Sequence, residues 1–294
     1  MKQLINQTPK IVFVGMSKNC FSTLSKNLSF LLKLKKLNFA DIHIIIVDSD
    51  SDDGTKEFCK KLLKTGSLNQ FIELDNLEIK HNSRIERLSI CRNEALDYLK
   101  TLNDDLIYIP MDMDIELFLY TKIEVFKKLI LSFYDNQNYE GLFPFSLPYY
   151  YDIFALRKMG WTKGNNMLKA EKIKKRILLF SGIINYIFIF RIQKPPTFFK
   201  EKYILVESAF GGIGMYKISK NLLTKINYKI EKSNVNSVSE HISFNKFFKN
   251  LYIHRDWNVP APEEYIFFKN SNLYQKMFYL LISTIKDLRK IFKK

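Results

Sequence analysis

Residues 42–55 carry the sequence Ile-His-Ile-Ile-Ile-Val-Asp-Ser-Asp-Ser-Asp-Asp-Gly-Thr. The segment Ile42–Val47 is a run of mainly β-branched residues, which is typical of a strand buried on both faces of a parallel sheet. Four aspartates follow within residues 48–53. Carboxylates at a strand end must stay solvated, bind a cation or accept hydrogen bonds. This acidic loop is therefore either the edge of a ligand site or a turn that caps the next helix, with Ser51 or Asp53 as the cap.

Strand-like and helix-like segments alternate on both sides of this strand. The predicted strands are 10–15, 42–47, 71–74 and 106–111, and the predicted helices are 21–37, 55–63 and 85–99. Such a β-α-β-α-β-α-β order predicts an α/β fold, with a mostly parallel sheet flanked by helices and joined by right-handed crossovers.

The second half of the chain is less regular. It predicts a strand and turn at 141–148, two strands around a glycine-rich turn at 204–216, a helix at 239–249 and a short strand at 251–254. We predict one domain over residues 1–262 with a basic and apolar insert at 160–200. Pro260-Ala261-Pro262 is interpreted as a linker to a C-terminal amphipathic helix within residues 263–294.

Composition excludes several classes of protein. With 294 residues and 47% hydrophobic residues, the chain can bury a sizeable core and is not disordered. Its three cysteines have no paired spacing, which argues against a disulfide scaffold or a structural zinc site and suits a reducing compartment. No apolar run approaches the roughly 20 residues of a membrane span, and the first one is too short for a signal peptide.

The net charge of +16 is concentrated in two segments. Residues 158–202 hold eleven basic and two acidic residues, and residues 269–294 hold seven basic and one acidic residue. Because these charges flank apolar stretches, they favour an anionic membrane surface over nucleic acid as the partner. We therefore expect a cytoplasmic protein that is peripheral at the inner face of the cytoplasmic membrane. The alternative is that the apolar stripe of the C-terminal helix packs on the domain.

A second acidic motif, Pro110-Met111-Asp112-Met113-Asp114, follows the predicted strand at 106–111. In an extended segment, residues i and i+2 point the same way, so both carboxylates can converge on one divalent cation. Oxygen ligands of this kind suit Mg²⁺ or Mn²⁺, which in turn can hold a diphosphate.

Three motifs in this half resemble those of A-type (GT-A fold) glycosyltransferases. Residues 47–55 resemble the nucleotide-binding loop V-D-D-G-S-T-D-G-T, Cys91–Leu96 resembles the A-R-N-x-A-L helix, and Asp112–Asp114 resembles the metal-binding D-x-D. In the second half, residues 151–157, 208–216 and 239–241 resemble fungal capsule-associated mannosyltransferases and their bacterial relatives. That part leaves the sugar and the stereochemistry open.

The resemblance implies a nucleotide-diphosphate sugar as the donor and a divalent cation, Mn²⁺ or Mg²⁺, as the cofactor. Asp112 and Asp114 would hold the cation, with His254 as a third ligand. Residues expected at the nucleotide are Gly15, Asn19, Asp48, Asp50, Arg87, Arg92 and Asp112. Asp48 would contact the base and the loop from Gly15 would line its pocket. Arg92 would approach the diphosphate, or else pair with the acidic loop.

The acceptor side is predicted from the second half. Glu240 is the candidate catalytic base of an inverting enzyme and Glu207 the second candidate, while a retaining enzyme would not need Glu240 in that role. Glu240 is alternatively a carboxylate at a helix start. Residues expected at the sugars are Asp152, Arg157, Gly211 and Gly212. The alternatives are an Arg157–Asp152 ion pair and a tight glycine turn between two strands.

These features predict a metal-dependent glycosyltransferase that transfers a hexose, with mannose as one candidate. It would act on a glycan or lipid-linked acceptor in capsule or lipopolysaccharide synthesis. One alternative is a sugar-nucleotide pyrophosphorylase, but Gly15–Asn19 is a poor version of the glycine-rich basic loop that such an enzyme needs. The other is a non-enzymatic basic protein that binds membranes or nucleic acid and whose carboxylates are structural.

Overall fold

The computed structural model describes residues 9–162, 164–177, 179–195, 197, 199–230, 238–265 and 273–291. Over these residues the backbone forms one sheet with helices on both sides. The strands are β1 (Lys10–Ser17), β2 (Asp41–Ser49), β3 (Gln70–Leu74), β4 (Leu106–Asp112), β5 (Gly141–Leu147), β6 (Tyr203–Val206), β7 (Met215–Ile218) and β8 (Leu251–Pro260).

The helices differ widely in length. They are α1 (Phe21–Lys35), α2 (Thr55–Lys64), α3 (Leu77–Lys80), α4 (Arg84–Leu102), α5 (Ile123–Asp135), α6 (Asn166–Arg176), α7 (Ser181–Phe188), α8 (Lys220–Leu223), α9 (Glu240–Asn245) and α10 (Leu273–Ile291). Short 3₁₀ helices span Phe190–Gln193 and Glu263–Tyr265.

The sheet has eight strands in the order β3-β2-β1-β4-β7-β5-β8-β6. Strands β3, β2, β1 and β4 run parallel, β7 is antiparallel to both β4 and β5, β8 is parallel to β5, and β6 is antiparallel to β8. The predicted fold class, an α/β sheet of mostly parallel pairings flanked by helices, is confirmed.

The side chains of β1 point alternately to the two faces of the sheet and contribute to the hydrophobic core on each face. Val12 and Val14 pack into the core on one face of the sheet, while Ile11 and Phe13 pack into the core on the other face. All four side chains are fully buried. A strand covered on both faces must be apolar throughout, which is why polar residues are displaced to its ends.

The carboxyl end of β1 lies farther along the chain than the sequence predicts. Parallel pairing continues past Gly15, with Met16 opposite Asp112 of β4 and Ser17 opposite Asp48 of β2. Gly15 is thus a strand residue and does not belong to the loop expected to line a nucleotide pocket. A Cβ on Gly15 would lie 2.7 Å from the Ile46 Cδ1 atom, so a larger residue here would have to displace that side chain.

The two strands around the glycine-rich segment are not neighbours, which corrects the interpretation of 204–216 as two strands joined by a tight turn. β6 lies at the edge of the sheet against β8, whereas β7 lies between β4 and β5. Residues 207–214 therefore cross from the edge of the sheet to its middle. On the way, the Gly214 amide donates to the Pro110 carbonyl at 3.2 Å, and Met111 forms an isolated bridge with Ile213.

The region after residue 238 also differs from the prediction. Helix α9 ends at Asn245, and β8 extends to Pro260, which pairs with Leu147 of β5. The Ala261 amide donates to the Leu147 carbonyl at 2.9 Å. Pro260 and Ala261 are therefore attached to the sheet and do not form a free linker. The division of the chain at residue 262 stays a prediction.

The insert and the terminal helix pack on each other through α7 and α10. The amide of Ser181, the first residue of α7, donates to Asp287 Oδ2 of α10 at 2.8 Å. A Cβ on Gly182 would meet the Ser283 side chain, so the glycine allows a close approach of the two helices. The two segments in which the basic charge concentrates are thus in direct contact.

Candidate active site

Asp48, at the end of β2, organises the acidic loop. Its Oδ2 atom accepts hydrogen bonds from the hydroxyls of Ser17 at 2.8 Å and Ser51 at 2.6 Å, and its Oδ1 atom accepts from the Ser51 amide at 3.2 Å. The side chain is fully buried, and this burial raises the pKa of Asp48 against the effect of the hydrogen bonds. Asp48 therefore shapes the loop from within.

Asn19 fastens the acidic loop to the loop after β1. Its amide donates to the Ser51 hydroxyl at 2.8 Å, and its side-chain oxygen accepts from the Asp52 amide at 2.8 Å. Asp53 accepts from the amide of Phe21, at the start of α1, and from the amide and hydroxyl of Thr55 at the start of α2. The N-cap residue of α2 is Gly54, so the prediction of Ser51 or Asp53 as the cap is wrong, although Asp53 accepts the first amide of the helix from one residue farther out.

Asp50 and Arg87 both hold the short helix α3. Asp50 Oδ2 accepts from the Glu78 amide at 3.0 Å. Arg87 donates from Nη1 to the His81 carbonyl at 2.7 Å, while its Nη2 atom lies 3.4 Å from Glu78 Oε1. Both residues were predicted at the nucleotide. In the structure they contact α3 and the residue that follows it, next to the acidic loop.

Arg92 of α4 joins the first and second halves of the site. Its Nη2 atom donates to Asp112 Oδ1 at 2.8 Å, and its Nε atom donates to Glu240 Oε1 at 3.0 Å. The Arg92 side chain is 1% exposed, that of Glu240 4% and that of Asp112 27%. The predicted alternative of an ion pair with the loop 48–53 is wrong, since the acidic partners of Arg92 are Asp112 and Glu240.

Aromatic rings enclose the Arg92 guanidinium. Its central carbon lies 5.1 Å from the centroid of Phe210 and 5.6 Å from that of Tyr228, within the range of cation–π attraction. Burial disfavours the charged guanidinium, but Asp112 and Glu240 outweigh it and raise the pKa of Arg92. Among the described residues its Nη1 atom has no hydrogen-bond partner.

His241 extends this cluster with a neutral ring. It stacks on Phe210 with centroids 3.6 Å apart and is almost completely buried. Burial and the nearby Arg92 charge lower the pKa of His241 well below its usual value. Its Nε2 atom lies 3.6 Å from Glu240 Oε1, too far for a hydrogen bond. Arg92 is therefore the cation that faces Glu240.

The D-x-D residues are not arranged as an extended segment, which corrects the geometry assumed from the sequence. Strand β4 ends at Asp112, and Met113 and Asp114 form a turn. The Asp112 amide donates to the Gly212 carbonyl at 2.8 Å, and the Met113 amide donates to the Met16 carbonyl at 3.0 Å. Asp112 is half-buried and Asp114 is exposed, so both carboxylates border the surface.

Gly211 and Gly212 bring the crossing segment against the end of β4. Their φ angles of +79° and +85° are in the left-handed region, where glycine is favoured. Asp152 holds this backbone, since its Oδ2 atom accepts from the Gly211 amide at 2.9 Å and its Oδ1 atom accepts from the Ala155 amide at 3.1 Å. A Cβ on Gly212 would lie 2.9 Å from the Tyr151 hydroxyl.

The environment of Asp152 disfavours the charged form of its carboxyl group. Burial raises the pKa of Asp152 to about 6, and the Asp112 and Glu240 charges add to that effect against the two backbone hydrogen bonds. The Asp152–Gly211 and Asp112–Gly212 hydrogen bonds join the Asp152 loop to the end of β4, and Arg92 joins the end of β4 to the start of α9.

The remaining predicted residues have other partners. Arg157 donates from Nη1 to the carbonyls of Leu156 at 2.7 Å and Phe154 at 3.2 Å. Its own carbonyl accepts from the amide of Glu207, whose side chain is exposed. His254 Nδ1 accepts from the amides of Asp256 and Trp257. The predicted roles of Arg157, Glu207 and His254 stay predictions.

Asp112 and Asp114 fit a divalent cation that is shared with a substrate. Mg²⁺ and Mn²⁺ are commonly held by one or two carboxylates together with substrate phosphates and water. Arg92 engages only Oδ1 of Asp112. Within the described ranges, no group of three His, Cys, Asp or Glu side chains is arranged as a metal site.

Sequence reasoning missed the aromatic residues of the site. Phe210 and Tyr228 enclose Arg92, and Tyr151 packs on Gly212. Phe210 and Tyr151 lie inside the second-half motifs, but no spacing rule marks an aromatic residue as the neighbour of an arginine far away in the chain. Tyr228 lies in a segment without a recognised motif.

Comparison with known proteins supports the resemblance over the first half. Residues 16–122 match the family described as glycosyl transferase family 2. The match includes the acidic loop, Arg92 and the pair Asp112 and Asp114, so the predicted resemblance to glycosyltransferases is confirmed for this segment. No curated protein sequence matches the chain.

Solved structures of glycosyltransferases are distantly similar. S. aureus TarS (residues 1–349) in complex with UDP-GlcNAc is 14% identical, with 93% of this chain and 66% of that chain covered and a TM-score of 0.47. The mannosyltransferase PcManGT from Pyrobaculum calidifontis, in complex with GDP-Man and Mn²⁺, is 10% identical, with 98% and 66% covered and a TM-score of 0.45. The chain spans about two thirds of the length of these two solved chains.

Replacing Arg92 with methionine is expected to leave a buried carboxylate without its cationic partner. Arg92→Met leaves Glu240 without its cation, so the free energy of unfolding should fall by roughly 3–5 kcal/mol. The double variant Arg92→Met, Glu240→Gln should be more stable than Arg92→Met alone, because the uncompensated charge is gone. Urea denaturation of the single and double variants measures both effects.

The matched control is Lys26→Met, which breaks the exposed Lys26–Glu116 pair of 2.7 Å. Exposed pairs contribute about 0–1 kcal/mol, so this change should be small. A loss for Arg92→Met no larger than for Lys26→Met would contradict the account of the buried network.

Asp152 is expected to make stability depend on pH. Its pKa is about 6 in the folded protein, against an ordinary value of 3.8, so between about pH 4 and pH 6 the folded state binds more protons than the unfolded state. Raising the pH through this window therefore lowers the stability contribution of Asp152, by up to about 3 kcal/mol. Urea denaturation of the wild-type and Asp152→Asn proteins at pH 4, 5, 6 and 7 tests this. Their difference in unfolding free energy should shift with that sign, and a difference independent of pH refutes it.

Proposed function

We propose that this protein is a glycosyltransferase that moves a sugar from a nucleoside-diphosphate donor to a glycan acceptor and uses Mn²⁺ or Mg²⁺. The observation that carries the proposal is the placement of Asp112 and Asp114 at the end of β4, inside the segment that matches glycosyl transferase family 2. Ligands of such sheets bind at the carboxyl ends of the strands, which is where these carboxylates lie.

The donor half of the reaction needs stabilisation of a departing diphosphate. Asp112 and Asp114 would hold the cation, and the bound cation would supply positive charge at the phosphate oxygens. Arg92 orients Asp112 through the hydrogen bond to Oδ1. Asp48 and Asn19 set the shape of the loop at which the base would bind. Asp50 and Arg87 hold α3 next to that loop.

The acceptor half needs a group that accepts the hydroxyl proton if the reaction inverts. Glu240 is the carboxylate that shares Arg92 with Asp112, so it belongs to the same polar cluster as the metal-binding pair. A carboxylate is the type of group that accepts such a proton in an inverting enzyme. Gly211, Gly212, Asp152 and Arg157 would shape the sugar subsites. In a retaining reaction Glu240 would instead position Arg92.

Binding of nucleotide is expected to require the metal and both aspartates. In titration calorimetry the wild-type protein should bind UDP or GDP in the presence of Mn²⁺ or Mg²⁺ and bind neither in EDTA. The double variant Asp112→Ala, Asp114→Ala should weaken binding at least a hundredfold, because the cation then lacks its protein ligands.

The matched control removes two exposed aspartates at other places, Asp97 on α4 and Asp104 before β4. The double variant Asp97→Ala, Asp104→Ala should bind the nucleotide as the wild type does. Metal-independent binding, or no binding by the wild type, would count against the proposal and favour a non-enzymatic protein with structural carboxylates.

We further propose that the acceptor is lipid-linked, as in capsule or lipopolysaccharide synthesis, and that the enzyme is peripheral on an anionic membrane at its cytoplasmic face. The support is the exposed apolar surface of α7 and α10. On α10 the exposed side chains are Met277, Phe278, Leu281, Ile285 and Leu288, and on and just before α7 they are Ile177, Phe180, Ile183, Tyr186 and Ile187.

Basic side chains accompany this apolar surface. Lys172, Lys174, Lys175 and Arg176 lie on α6, immediately before α7 in the chain, and Lys286 and Arg289 lie on α10. Apolar and basic side chains together suit the interface of an anionic bilayer. Among the described residues no helix is long and apolar enough to cross a membrane.

Removing apolar side chains from α10 is expected to weaken membrane binding. Phe278→Ser, Leu281→Ser and Ile285→Ser in one variant should lower the affinity for vesicles that contain phosphatidylglycerol at least tenfold, because each side chain loses apolar surface that the lipid would bury. Flotation with such vesicles and with phosphatidylcholine vesicles measures the effect.

The control variant carries serine at three exposed apolar positions on other elements, Ile79, Val125 and Leu205. It should float like the wild type. If the wild-type protein stays at the bottom of the gradient, the membrane proposal fails while the enzymatic proposal stands.

A further inference from the structure

A pair of stacked tyrosines lies beside the carboxylate cluster. The rings of Tyr151 and Tyr265 are nearly parallel, with an interplanar angle of 19° and centroids 5.7 Å apart. Tyr151 precedes β6 in the chain, whereas Tyr265 lies in the 3₁₀ helix after β8. This pair is therefore assembled by the tertiary fold from two distant segments.

Tyr151 locates the pair relative to Asp112. Its hydroxyl lies 2.9 Å from the position of a Cβ on Gly212, and the Gly212 carbonyl accepts the Asp112 amide at 2.8 Å. Burial raises the pKa of Tyr151, and the Asp152, Asp112 and Asp114 charges act in the same direction. The tyrosine pair thus borders the place where the cation and the diphosphate would bind.

Gln193 bonds Tyr265 and the residue next to Tyr151. Its side-chain amide donates to the Tyr265 carbonyl at 2.7 Å, and its carbonyl accepts from the Tyr150 amide at 3.0 Å. Gln193 is 4% exposed and ends the 3₁₀ helix of the insert. A buried polar residue thus bonds the backbone of both tyrosine segments, as buried polar groups generally find hydrogen-bond partners.

Tyr265 is 42% exposed. A tyrosine ring offers a flat, electron-rich face with a polar tip. The C–H groups on one face of a pyranose ring are apolar and carry slight positive charge, so they pack well on such a face. Hydroxyls around the pyranose can meanwhile bond the neighbouring polar groups.

We propose that Tyr151 and Tyr265 form the acceptor subsite, in which the pyranose ring of the acceptor packs on Tyr265. This inference rests on the proposed glycosyltransferase function and deepens it. Tyr151 lies between Tyr265 and the contact of Gly212 with Asp112, so an acceptor ring on Tyr265 would lie at the outer side of the metal site. Gln193 is a positioning residue, since it acts through the two tyrosine segments.

The test measures transfer to octyl glycosides of glucose, galactose, mannose and N-acetylglucosamine from the sugar nucleotide that the wild-type enzyme uses best. Tyr265→Ala should raise the KM for the glycoside about tenfold, which corresponds to about 1.4 kcal/mol, while the KM for the sugar nucleotide stays within twofold. Tyr265→Trp, which keeps an aromatic face, should keep the KM for the glycoside within threefold.

Tyr134→Ala is the matched control, because Tyr134 is 37% exposed and lies on α5. It should leave both KM values unchanged. The inference is overturned if Tyr265→Ala leaves the KM for the glycoside unchanged, if it raises both KM values equally, or if none of the four glycosides is a substrate of an otherwise active wild-type enzyme. An enzyme that turns over no sugar nucleotide overturns the proposed function itself, which separates the two failures.

Discussion

The site depends on one buried cation. The Arg92 guanidinium touches Asp112 at the end of β4 and Glu240 at the start of α9, and two aromatic rings cover it. Moving a charge out of water costs several kcal/mol, so Arg92 is tolerable inside the fold only with carboxylates against it. The same contacts hold the end of the parallel half of the sheet against the second half, and they bring both predicted carboxylate roles, metal ligand and base, to one place.

The crossing segment 207–214 brings residues of the candidate site close to the end of β4. This segment passes from edge strand β6 to central strand β7, and on the way its backbone bonds the end of β4. The left-handed backbone at Gly211 and Gly212 permits that path. Asp152 holds the segment in place by accepting a hydrogen bond from the Gly211 amide. Asp152 in turn bears a raised pKa, since the position that suits its hydrogen bonds is also half-buried and close to other carboxylates.

The insert at 160–200 makes two kinds of contact with the rest of the fold. Through Gln193 it braces the tyrosine pair next to the carboxylates, and through α7 it packs on α10. Apolar side chains of both helices face solvent, with basic residues nearby. In the proposed function, one inserted segment thus connects the acceptor subsite with the surface at which a lipid-linked acceptor would arrive, which gives a physical reason for an insert of this composition.

Local sequence determined most elements of the first half and the chemistry at their ends, whereas helices α3 and α5 were not predicted from it. Strands β1, β2 and β4 and helices α1, α2 and α4 follow from hydrophobic periodicity, which depends only on neighbouring residues. Asp48, Asp112 and Asp114 follow from their places after buried strands. Tertiary structure alone decided the insertion of β7 between β4 and β5, the turn at Asp114, and the pairing of Arg92 with Glu240, which are 148 residues apart. Contacts of that kind depend on how distant segments pack, and no periodicity along the chain records which buried charge will face which partner.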